Sequence, residues 1–261
     1  MDDQDDPSER DLLDESSLGL HVELLPGKSL SQLEEPPAVE EADWPRFRRL
    51  TFFSVQAGLC PLVPVPFVEE QAVSRIRRRM MRELGESRSL GLSEDEVRLL
   101  AGSDERPGVF AGTARAVRRG VGKILGSVVK TFLLREGVER AVETFVEGYL
   151  LLYAAGQPQA LRPAGRTPER VRAVRASVVS ALGKVDVTPI RTVIGRSFQS
   201  SFGRLSEAAA KLGAAAASEE APLQEDEEVV DQLAGALWGD QEHFESLERV
   251  FEECLARQRP V

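Results

Sequence analysis

Asparagine is missing altogether from the 261 residues, lysine supplies only 5 of the 33 basic side chains, and histidine and cysteine occur twice each. His21 and His243 are too far apart for local spacing to assemble a histidine metal cluster or a Ser-His-Asp set. Cys60 and Cys254 sit in no CxxC or other ligand spacing, so they read as reduced packing residues in a cytoplasm. Aromatic residues make up 6% of a chain that is 42% hydrophobic. The core must therefore be built from Leu, Val and Ala, which favours helix over sheet. Few lysines, no asparagine and much Ala and Gly match the coding drift of a GC-rich bacterial genome, which weakens arginine clusters as signals of function. The opening MDDQDDPSER is acidic and polar, the reverse of a secretory leader, and argues against Sec export.

What is present is divided by charge. Residues 1–45 hold 14 acidic and 2 basic side chains and residues 206–261 hold 14 and 4, leaving 15 acidic and 27 basic between them. A basic centre between acidic ends either attracts phosphate-bearing surfaces or is screened by its own tails.

Residues 1–43 mix Asp, Glu, Ser and Pro and bury too little to offset the entropy of ordering, so a disordered acidic tail is expected. A helical domain over 44–217, a charged linker over 218–228 and a C-terminal helical segment over 229–261 follow. The pattern predicts an all-α, irregular helical bundle of about seven to nine helices. Its clearest elements are a helix over 69–84 ending near Gly85, a capping box at Ser93–Glu96, and a Gly-punctuated helical stretch over 109–134. An amphipathic helix from Val138 to Tyr153 has Glu139, Arg140, Glu143 and Glu147 on its polar side. Thr167-Pro168 and Thr188-Pro189 each place a cap before a first-turn proline, and the second opens a helix running to about Ala217. Phe244, Leu247, Phe251 and Leu255 share one face of the last helix.

No motif carries recognisable chemistry. Gly120, Gly122 and Lys123 lack the rest of a phosphate loop, since Val117 and Ile124 stand where glycine and Ser or Thr are needed, and helix packing accounts for them better. The run Glu225–Glu228 lacks the glycine and alternating oxygens of a calcium loop and reads as a solvated helix start. No catalytic residue, cofactor, metal or small-molecule ligand is expected. Nucleic acid is not an expected partner either, because Arg75, Arg77, Arg78, Arg79 and Arg82 come without interleaved aromatics or a reading motif.

The most unusual segment is Leu50–Val68, 19 residues without a charge. Its first half suits a helix of about 16 Å, roughly half a hydrocarbon core. Pro61, Pro64 and Pro66 break the second half. Two placements follow. In one, Phe52, Phe53, Leu59, Leu62, Val65 and Phe67 meet lipid or a partner while Arg75, Arg78, Arg79 and Arg82, with Arg46, Arg48 and Arg49, reach headgroups. In the other, the segment is a buried hairpin and the same side chains are the centre of a helical core. The expectation joins the two: the segment packs against the 138–153 helix in solution and becomes available at a membrane or partner surface.

The order of an apolar segment, PLVPVPFVEE, a helix with RIRRRMMREL, a short capped helix, GVGKILGSVVK and an apolar helix ending LLLYAAG resembles bacterial YcjF-like and EcsC-like helical proteins over residues 46–156. The resemblance implies a membrane-associated helical protein and supplies no catalytic residues. The expected function is a non-enzymatic peripheral membrane or scaffolding protein, cytoplasmic and peripheral at the inner membrane. Its partner is then an anionic membrane surface or another protein. The alternative is a soluble protein–protein interaction module.

Overall fold

A computed structural model describes residues 43–63, 68–102, 126–157, 160, 161, 163, 166–215, 226–239 and 241–258. They belong to one unit, Glu35–Val261. Among them are nine α-helices and no strand, as the periodicity predicts. The expected disordered tail, the 109–125 stretch with its glycine motif, the greater part of the 218–228 linker, Val65 and Phe67 lie outside the described residues.

Helix α1, Trp44–Leu59, is the hub. It opens with Pro45 at a position where a missing N–H costs nothing and continues into a single turn of 3-10 helix, Cys60–Leu62. Pro61 sits early in that turn, where the ring is tolerated, and Val63 leaves it extended. From Leu50 to Pro61 every residue is buried. The hydroxyls of Thr51 and Ser54 donate back to the carbonyls of Phe47 and Leu50, four residues earlier, so these polar side chains are satisfied inside.

Helix α2, Val68–Ser87, does not stop at Gly85. Its end is a left-handed Ser89 (φ 53°), after which Leu90 N–H bonds to Gly85 O at 2.8 Å and Ser89 N–H to Glu86 O at 2.9 Å. These are the paired bonds of a Schellman cap, with serine where glycine is usual. Helix α3, Glu94–Leu100, carries the expected capping box: Ser93 Oγ accepts from Glu96 N–H and Glu96 Oε2 accepts from Ser93 N–H at 2.7 Å.

Helix α4, Gly126–Gly156, joins what the sequence divides at Arg135-Glu136-Gly137. Gly137 lies inside it because α1 crosses there: a Cβ on Gly137 would stand 2.6 Å from the carbonyl oxygen of Gly58, and one on Gly58 would stand 2.8 Å from that of Gly137. The glycine's propensity cost is offset by backbone contact that no side chain permits. This α1–α4 pairing is the most extensive among the described residues. It puts the described part of the uncharged segment, residues 50–63, on the helix that contains 138–153.

Helix α5, Pro168–Leu182, is capped by Thr167, whose side chain accepts from Arg170 N–H. Helix α6, Thr188–Ser200, starts one residue earlier than the Thr-Pro pattern implies, and Asp186, not Thr188, does the local bonding through Thr188 N–H at 2.9 Å. It breaks at Ser201, so the single helix expected from Ile190 to Ala217 is two, the second being α7, Phe202–Ala215. The break falls in a Ser-Ser-Phe-Gly run whose hydroxyls compete for backbone carbonyls; Ser200 Oγ donates to Ser197 O at 3.1 Å.

Helices α8, Glu227–Trp238, and α9, Gln241–Arg257, are built into the same core. The sequence sets them apart beyond a linker, yet α8 packs on α1 and α6, and α9 on α5 and α4. Trp238 and Phe244 meet Phe47 edge-on with ring centres 4.7 and 5.7 Å away. No helix among the described residues is long and apolar enough to cross a membrane.

Candidate functional site

The residues singled out for lipid or partner contact fall in different places. Phe52, Phe53 and Leu59 are 1%, 0% and 1% exposed, inside the core. Leu62 is half-buried against it. Lipid contact through the three buried side chains is incompatible with this packing, because α1 is covered by α2, α4, α7 and α8.

The arginines assigned to headgroups are largely occupied by acids. Arg46 reaches Asp43 at 2.6 Å, Arg48 reaches Asp231 on α8 at 2.5 Å, and Arg49 reaches Glu83 on α2 at 2.6 Å. The Arg49 guanidinium also lies over the rings of Phe52 and Phe53, 4.4 and 4.9 Å from their centres. Arg79 shares Glu83 at 2.9 Å and Arg82 pairs with Glu94 at 2.8 Å. The two guanidiniums hold the Glu83 carboxyl below its ordinary range although burial works the other way. Arg75 and Arg78 line an open groove of about 300 Å³ along α2, together with Glu70, Gln71 and Ser74.

A second set of charges was not legible as a group. Arg77 on α2, Glu143 and Glu147 on α4 and Arg175 on α5 meet between three helices. Arg77 lies 3.2 Å from Glu143 and 3.5 Å from Glu147, and Arg175 donates to Glu147 at 3.2 Å. The Glu147 and Arg175 side chains are 4% and 6% exposed. Arg140 joins Glu143 at 3.6 Å from one turn earlier on α4. Burial works against the Arg77 charge, but Glu147 and Glu143 outweigh it and the proton is held more tightly than usual. The expected polar side of α4 is therefore partly an interior seam. Charges are assigned to solvent by default, and the partners here are 28 and 70 residues from Glu147 along the chain.

The acidic C-terminal part supplies further bonds to the basic middle. Arg204 on α7 reaches Glu228 at 2.5 Å. Tyr149 donates to Glu248 at 2.6 Å and Tyr153 to Glu252 at 2.5 Å. These two pairs, both 99 residues apart, fix α4 and α9 side by side in the same direction. Burial, assisted by Glu252 and Glu245, raises the Glu248 carboxyl, with the Tyr149 hydroxyl acting against it. The Asp226 carboxylate caps α8 by accepting from Val229 N–H at 3.3 Å, the helix-start role expected of that acidic run.

Cys60 is buried with Sγ donating to Gln56 O at 3.4 Å, and burial followed by Glu69 pushes its thiol up to about 12. No group of three or more His, Cys, Asp or Glu among the described residues is placed to hold a metal ion. Compared with known proteins, the chain matches no family model, no curated protein and no solved structure.

Proposed function

We propose that this chain is a non-enzymatic, protein-binding helical module in which the uncharged segment serves as the core. One observation carries the reading of the segment as core and not as lipid anchor: Phe52, Phe53 and Leu59 are sealed on all sides by helices of the chain itself. A helix apolar all round is a buried helix, and burial on every side uses up the surface that a lipid anchor has to offer. The pairing of buried charges with one another on α2, α4 and α5 agrees with a scaffold role for those residues.

Flotation of the full chain with anionic liposomes, joined to thermal or urea unfolding of Phe53→Ser, tests this. The protein is expected to stay in the dense fraction at low and high salt. Phe53→Ser is expected to cost about 3–5 kcal/mol, the range for losing a buried ring. Flotation that Phe53→Ser abolishes while stability is unchanged would overturn the proposal.

A second reading, peripheral association with the anionic face of an inner membrane, draws on Arg75 and Arg78 beside the open α2 groove and on the resemblance over 46–156. Its signature is flotation that salt weakens and that Phe53→Ser leaves intact in the folded fraction.

A further inference from the structure

Seventy residues separate Lys184 from Cys254, and the fold lays them against each other at one corner. Cys254 is on the inner side of α9 and is buried. Lys184 stands exposed in the turn after α5, held by its N–H bond to Ala181 O at 2.9 Å. Its Nζ donates to Cys254 Sγ at 3.2 Å, and the thiol in turn donates to Ser180 Oγ at 3.5 Å. An amine and a thiol are thus already in contact, with the amine's residue at the surface, so the sulfur lies one side chain's depth from solvent. Cys60 has a different setting. Its sulfur donates to a main-chain carbonyl of α1, the helix it follows, within the buried run Leu50–Pro61.

We propose that Cys254 and Lys184 form an oxidation-dependent covalent cross-link, a bond between Sγ and Nζ. The co-reactant is a hydroperoxide. It transfers one oxygen to the Cys254 sulfur: the O–O bond breaks, the sulfur loses two electrons, and a sulfenic acid and an alcohol, or water from hydrogen peroxide, result. The Lys184 amine, after giving its extra proton to solvent, attacks the sulfur. The S–O bond breaks, the S–N bond forms, and the oxygen leaves as water. The Ser180 hydroxyl, in contact with the same sulfur, is a donor for the oxygen that the sulfur carries in between. The product ties the α5–α6 corner to α9 and is returned to thiol and amine by a dithiol, which is itself oxidised to the disulfide.

The test treats the full chain with hydrogen peroxide and follows intact mass, peptide maps without reductant, and melting. The wild type is expected to lose the mass of two hydrogens, to yield a joined peptide pair carrying Lys184 and Cys254 that dithiothreitol separates, and to melt at higher temperature after oxidation. Lys184→Arg keeps the cation but cannot close the bond under these conditions. It is expected to stop at a sulfenic acid on Cys254 that dimedone traps, with no rise in melting temperature. Cys254→Ser removes every mass change except slower oxidation at Cys60 and the methionines. The proposal is overturned if wild type and Lys184→Arg give the same oxygen-added product at Cys254. It is equally overturned if Cys254 stays reduced while Cys60 reacts, or if neither cysteine reacts.

Discussion

Replacing Glu147 by leucine removes the carboxylate that lies between Arg175 and Arg77, 3.2 and 3.5 Å away. At an effective dielectric of about 20 each contact is worth about 5 kcal/mol of gross attraction. Desolvation of the buried Glu147 and Arg175 and the nearly buried Arg77, with repulsion between the two guanidiniums, consumes most of that sum, so the network adds little net stability as it stands. Breaking it is another matter: the arginines stay in the core without their shared anion, and the expected loss is about 3–5 kcal/mol. Glu147→Gln retains an acceptor without the charge and is expected to fall between the two. Urea unfolding of the full chain measures this as a drop in midpoint with an unchanged slope. The triple change Arg77→Met, Glu147→Leu and Arg175→Leu is expected to recover most of the loss, because similar volume then replaces these three ions while Glu143 keeps Arg140 at 3.6 Å. A Glu147→Leu chain within about 1 kcal/mol of wild type, the size of an exposed ion pair, would refute the reasoning.

Gly137→Ala places a methyl 2.6 Å from a backbone oxygen that cannot rotate away. It is expected to cost about 2 kcal/mol or more despite alanine's better propensity, whereas Gly235→Ala on α8, which meets nothing within 4 Å, is expected to stabilise by up to about 1 kcal/mol; thermal unfolding of both reads the difference. Acid titration of stability should have a limb from the carboxyls of Glu83, held by Arg49 and Arg79, and Glu96, held by Ser93 and Arg166, which overcome burial to lie below their usual value of 4.5. Their stabilisation is complete above about pH 4.5 and lost as pH falls through the depressed values, so Glu96→Gln should flatten that limb. Glu248, raised above 4.5, has the opposite sign: its contribution is present below 4.5 and lost as pH rises through the folded value. Glu248→Gln should therefore gain on wild type toward neutral pH, measured as the difference in unfolding midpoint at pH 4 and pH 7.

What could be read from the sequence was local. The capping box at Ser93, the Thr167-Pro168 start and the stripe of Phe244, Leu247, Phe251 and Leu255 need only residues within a few turns, and all three are present. The sequence misleads where distant contacts overrule local preference. Gly137 reads as a stop, but its lack of a side chain lets α1 touch α4 and the helix runs on. Ser201 reads as helix within a strong apolar stripe, yet the chain turns there and buries Phe198 from one helix and Leu205 from the next. The charged seam and the Lys184–Cys254 contact joined residues remote in sequence, and nothing in their spacing announced them.

The uncharged run had two readings because both an apolar solvent and a protein interior reject unpaired charge, and composition alone does not tell them apart. Position in the contact network does. Helices α2, α4 and α5 each have neighbours able to answer a buried charge, and they carry Arg77, Glu147 and Arg175 accordingly. Between Leu50 and Leu59, α1 is enclosed by α2, α4, α7 and α8, and its polar atoms at Thr51 and Ser54 return to its own backbone. At the start of the helix the environment changes within one turn, and there Arg46, Arg48 and Arg49 find Asp43, Asp231 and Glu83. The boundary between three arginines and a charge-free stretch thus marks where α1 passes from the rim of the bundle to its centre. Leu50, the first residue of the run, is also the first to have no solvent exposure.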